Sequence, residues 1–312
     1  MGLATALTLL FLCACSQTNE GEAVAGGKEE GKDSLVLSFE NPQTNQEFKI
    51  VRADKLFEGL REKIENNTER SELDVYKEVV IDPVYQDCFA NAEYPYMADS
   101  ILHSTPSVYT PLPTLSEEIE EKQVEETIKQ ALIKSSNLLP SDKETTVCVF
   151  PTTKTVPMFT VGAGKIIVLY SKYYDDSSIK AGIAHEYHHS VWTEKYLTDN
   201  ASTTVLDNLI FEGKAVMFEK IAYPDITFTP IDERYHQEHW DSIENDFHKA
   251  DFNRSMEIIS GGKGLPDLYG YSEGYKMVQS YLKLHPDLTP EEWTPIKALE
   301  IFNDGNYIDN YQ

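Results

Sequence analysis

His185-Glu186-Tyr187-His188-His189 puts three histidines and a glutamate within five positions, and no other stretch limits the fold of this chain as much. On an α-helix, His185 and His189 stand one turn apart and about 40° from each other round the axis. Both imidazoles can then reach one ion at the roughly 2.0–2.1 Å of a zinc–nitrogen bond. Glu186 falls about 100° round the helix, beside the ion, where a base must stand to take a proton from an activated water. Chance would give roughly 0.03 matches to this spacing in a chain with eight histidines and 52 acidic residues.

The surrounding pattern supports a helix that starts near Asp175 to Ser178. Ile179, Ile183, Tyr187 and Val191 recur at i, i+4 and form a stripe able to pack on a sheet, leaving His185 and His189 on another face. Ala181 and Gly182, one turn earlier, would leave room for a ligand. His188 reads as packing or as support for a ligand, because a 185/188 pair would leave His189 unexplained and Glu186 poorly placed.

A catalytic zinc takes three protein ligands and keeps a fourth position open. The metzincin pattern would need Gly at 192 and His at 195, and the chain has Trp192 and Lys195. A glutamate from the next helix is the alternative, and "NLIFEGKAVMFE" offers Glu212. Gly213 and Ala215 follow it, small residues that let two helices approach closely. Glu219, two turns on along the same face, competes for the role, and Glu212 is favoured. Asp207 and Asn208 are candidates to accept the outer N–H of a ligand histidine.

An oxyanion needs a further donor beside the metal. Tyr271 and Tyr275, in "GYSEGY", are candidates because phenols can donate while staying neutral, although aromatics at i, i+4 are also an ordinary core pattern. His236 and His239 are alternatives.

Strand patterns at 35–39, 47–51, 145–151 and 165–171 precede helical patterns at 175–197, 203–223, 231–250, 270–285 and 289–302. Further helices are expected over 53–67, 71–80 and 116–136, with a long irregular connection at 92–114. Strands first and helices after make an α+β chain. The strand at 165–171 is expected to offer an edge to an extended peptide.

"MGLATALTLLFLCAC" is uncharged and shorter than the roughly 20 residues of a spanning helix. It reads as the apolar part of an export signal, although no Lys or Arg precedes it. Leu12-Cys13-Ala14-Cys15 resembles a bacterial lipobox, which would lipidate Cys15 as the first mature residue. Ser16 then resembles outer-membrane sorting. Residues 16–33 are Gly- and Glu-rich with little to bury, as expected of a flexible tether. Cys88 and Cys148 would remain, either paired in an oxidising compartment or as buried thiols. The net charge of −25 argues against a nucleic-acid partner, since phosphate binding needs a basic footprint.

"AHEYHHSVW", "LDNLIFEGKAV" and "GYSEGYKMVQSYLKLHP", in that order, resemble a family of predicted bacterial zinc-dependent proteases, otherwise a domain of unknown function, that belongs with the gluzincins. The resemblance covers about residues 120–302. It implies a zincin-like fold, with a small mixed sheet, an active-site helix and a helical C-terminal half. It places Zn2+ on His185, His189 and Glu212 and the base on Glu186. The expected organisation is a lipoprotein signal over 1–15, a tether over 16–33, an N-terminal α/β extension over 34–115 and the metallopeptidase domain over 116–312. The expected function is hydrolysis of peptide or protein substrates by an enzyme lipid-anchored in the bacterial cell envelope, at the outer membrane. A surface lipoprotein that uses the same metal only for binding is the alternative, and the intact Glu186 speaks against it.

Overall fold

The structure is a computed structural model that describes residues 34–106, 112–153, 158–198 and 203–311. The expected signal, Cys15 and the tether lie outside the described residues. Among the described residues, five strands form one mixed sheet in the order β1-β2-β3-β5-β4. They are β1 (Val36–Glu40), β2 (Glu47–Val51), β3 (Thr145–Pro151), β4 (Phe159–Gly162) and β5 (Lys165–Tyr170). β1 and β2 make an antiparallel hairpin, and β2, β3 and β5 run parallel. β4 returns antiparallel to β5 at the edge. The architecture is α+β, as the sequence indicates.

The longer helices are α1 (Leu112–Glu121), α2 (Val124–Leu138), α3 (Asp176–Tyr196), α4 (Val205–Ala222), α5 (Phe252–Ser260), α6 (Tyr269–Leu284) and α7 (Ala298–Asp304). α3 carries the histidines. It packs between α2 and α4 and lies against the β4–β5 hairpin. Asp175 caps it by accepting from Ser178 N at 2.7 Å. Every residue from Ala181 to Val191 is buried, so the expected apolar stripe is one side of a helix enclosed all round. Tyr187 donates to Gln46 Oε1 at 2.6 Å and to the Leu139 carbonyl at 2.9 Å. Helix α3 is thereby tied to the N-terminal hairpin, whose strands continue the sheet of the region after residue 116.

Several expected elements are broken, each for a local reason. The helix expected over 53–67 is divided at Gly59, whose φ is +70°, into a 3-10 helix over Ala53–Phe57 and an α-helix over Leu60–Glu65. The one expected over 116–136 is two helices, α1 and α2, with left-handed Gln123 between them. Buried Arg52 spans that break, since its Nη1 donates to Glu120 at 3.0 Å and Glu125 at 2.7 Å while the rest of its guanidinium holds Asp54. Over 231–250 only Gln237–Asp241 is α-helical. There Asp232 accepts from Arg234 N at 3.1 Å, a local bond that competes with helix entry. The helix expected over 289–302 stops at Trp293, because Pro295 follows and cannot continue it. β4 and α5 were not expected. β4 is too short to show periodicity. α5 carries readable ends in its N-cap Asp251 and left-handed C-cap Gly261.

β4, not the strand at 165–171, is the edge on this side of the sheet, because β5 is enclosed between β3 and β4. Cys88 and Cys148 form a disulfide, which fastens the N-terminal third to β3.

Candidate metal centre

Three donor atoms from α3 and α4 converge. His189 Nε2 lies 3.1 Å from His185 Nε2 and 3.2 Å from Glu212 Oε2. His185 Nε2 is 3.5 Å from the same carboxylate oxygen. Two zinc ligands on bonds of roughly 2.0–2.1 Å at tetrahedral angles stand about 3.3–3.4 Å apart, and the three separations bracket that edge. Among the described residues, His185, His189 and Glu212 make a group able to hold a metal ion. The local charge suits a cation. Burial disfavours an imidazolium at His185, but Glu212 and Glu219 outweigh it and push the pKa up to about 10. Burial likewise works against the Glu212 carboxylate, yet the two histidines hold it far below the usual range.

Glu219 does not join the three donors. Its carboxylate stands 3.5 Å from His185 Nδ1, the ring nitrogen opposite the one facing Glu212. It is fully buried and held by Thr229, whose N and Oγ1 donate at 3.0 and 2.6 Å. A proton kept on Nδ1 leaves the Nε2 lone pair free for an ion. Asp207 and Asn208, the expected partners for that role, are engaged elsewhere. Asp207 closes a capping box with Thr204, and Asn208 donates to Ser255 at 2.9 Å. His189 is positioned by Phe211, whose ring stacks on the imidazole at 4.1 Å and 28°. His188 is fully buried, stacked on Trp293 at 5.5 Å and 3.4 Å from Thr294 Oγ1. Burial pushes its pKa well down, so it stays neutral and acts as packing.

Glu186 sits beside the cluster, 7 % exposed. Burial raises its carboxyl above the usual range against the opposing pull of His185 and His189. Thr160 of β4 donates to the Glu186 carbonyl at 2.8 Å, and Ser190 accepts from Gly164 N at 2.7 Å. These bonds set the pitch of α3 on the hairpin. The space at Gly182 is taken by Met158 and Phe228, which would stand 2.9 Å from an added Cβ. It is therefore packed, and the room expected there for a ligand is absent.

Of the two tyrosines on α6, Tyr271 faces the cluster. Its ring is 6.1 Å from that of His185. Burial, followed by the Glu212 and Glu186 charges, raises its phenol well above the usual tyrosine range, so it is neutral. Tyr275 is not brought there. Its hydroxyl accepts from Gln279 at 2.8 Å and Lys220 lies over its ring at 5.6 Å. His236 pairs with Asp232 at 3.3 Å and His239 packs on Tyr269. Among the described residues neither contacts the three donors. Gly213 and Gly274 explain how α6 comes so near. A Cβ on either would run into the backbone of the facing helix.

Residues 116–303 match the family described as "Predicted Zn-dependent protease (DUF2268)". No curated protein and no solved structure matches the chain.

Proposed function

The chain belongs to that family of predicted Zn-dependent proteases, and from that premise we propose that it is a zinc metallopeptidase of the gluzincin type with a zincin-like fold. The observation that carries the reading is the convergence of His185 Nε2, His189 Nε2 and Glu212 Oε2 within 4.8 Å, with Glu186 beside them. Those three residues would hold the ion, and Glu219 would orient His185 from behind. Zinc in such a site supplies Lewis acidity toward a carbonyl and makes water a nucleophile near neutral pH.

Glu186 takes the proton of the attacking water and delivers it to the leaving nitrogen of the cleaved peptide bond. Its position supports this role, because the carboxyl is buried beside the two histidines, whose charges act on it. Tyr271 donates its phenolic hydrogen to the developing oxyanion. The enclosure of α3 fixes these groups before substrate arrives.

We place the enzyme outside the cytoplasm, lipid-anchored through Cys15 at the bacterial outer membrane and acting on peptides or proteins. The Cys88–Cys148 disulfide supports an oxidising compartment. Metal analysis with a peptide-library digest of wild type and Glu186→Gln tests the function. The reading expects both proteins to hold zinc and only the wild type to cleave. Equal cleavage by the two would remove Glu186 from the reaction.

A further inference from the structure

Tyr96 and Phe252 meet edge to face at 5.9 Å and 81°, yet each is 50 % exposed. Met256, one turn after Phe252 on the same face of α5, is also exposed. Solvated aromatics touching across distant segments keep apolar surface in water that the fold does not need there.

The pair stands beside the metal centre. Asn208, one turn before Glu212, donates to Ser255 of α5 at 2.9 Å and so holds that helix against the N-terminal half of α4. On the other flank, Tyr94 OH lies 3.1 Å from Thr193 Oγ1, which donates to the His189 carbonyl at 2.8 Å. The backbone of Tyr94 donates to Val161 of the edge strand at 2.8 Å. Tyr96 follows two residues later, and the Glu212 charge contributes, after burial, to its raised phenol pKa. The segments that carry the apolar patch are thus fastened to α4, to the His189 turn of α3 and to the edge strand.

We propose that Tyr96 and Phe252, extended by Met256, form the specificity subsite of this centre and receive a large apolar or aromatic side chain of the substrate peptide next to the cleaved bond. Tyr96 precedes the residues that match the family, so half of this subsite is supplied by the chain's own N-terminal region. The inference rests on the peptidase reading for the reaction but not for the binding.

The test uses the full chain with zinc and peptide pools that differ at one position, Phe and Leu against Gly and Ser. Cleavage is measured with wild type, and binding with Glu186→Gln by fluorescence anisotropy. We expect a preference for Phe and Leu in both assays. Tyr96→Ser and Phe252→Ser should raise KM and Kd for those peptides at least about tenfold while changing kcat little, and Tyr96→Phe should keep the preference. Cleavage without apolar preference, or a preference that survives Tyr96→Ser with Phe252→Ser, overturns the subsite. So does a wild type that self-associates through this patch. Apolar binding without any hydrolysis sinks the peptidase reading and leaves the subsite standing. Absence of both binding and cleavage sinks the two together.

Discussion

The carboxylate of Glu219 stands 3.5 Å from Nδ1 of His185, on the side of the ring away from Glu212. One helix, α4, therefore supplies a carboxylate to each nitrogen of the same imidazole, from positions two turns apart. Replacing Glu219 with Gln keeps an acceptor for Thr229 and removes the charge. Zinc affinity should fall about 10–100-fold, measured by competition with a chelating dye, with the fold intact by circular dichroism. Glu219→Ala also strips the acceptor from buried Thr229 and should cost about 1–3 kcal/mol of stability besides.

Glu186→Gln should keep zinc at one ion per chain and lower kcat by at least about 10²-fold, the usual contribution of a positioned proton-transfer group. Steady-state hydrolysis of the best library peptide measures it. Tyr271→Phe should lower kcat with KM little changed, by about 10²-fold if the phenol is a principal donor to the oxyanion. Tyr275→Phe should change neither parameter, because its hydroxyl is engaged by Gln279.

Gly213→Ala and Gly274→Ala each drive a methyl into the facing helix backbone. Each should cost about 1–3 kcal/mol in urea unfolding. Each should also lower activity, because the α4–α6 contact sets the position of Tyr271 over the donors.

The disulfide joins residues 60 positions apart. Its loss through Cys88→Ala with Cys148→Ala should cost about 4 kcal/mol on the chain-entropy account. Thermal unfolding with and without reductant checks this.

The centre of the molecule is legible in its sequence because a helix repeats its geometry faithfully. Two histidines four apart must share a face, and Asp175 marks where the face begins. Glu212 follows from the small residues after it, although the partner of Gly213 is α6 rather than α3. What the residues conceal is tertiary. Nothing local distinguishes Tyr271 from Tyr275, or tells that Glu219 answers Nδ1 of His185. The exposed pair at Tyr96 and Phe252 joins residues 156 positions apart in the chain. The broken helices divide between signals visible in the chain, Gly59 and Pro295, and two that are not, the bond of Arg234 N to Asp232 and the grip of Arg52 on Glu120 and Glu125 across Gln123.

Zinc-edge X-ray absorption on the full chain, with metal counted by mass spectrometry, tests the centre most directly. It should find one zinc per chain bound by two imidazoles and a carboxylate at roughly 2.0–2.1 Å, with the ion lost in His185→Ala, His189→Ala and Glu212→Ala. A chain that takes up no zinc when supplied with it, or one that keeps the same coordination after Glu212→Ala, would contradict the account.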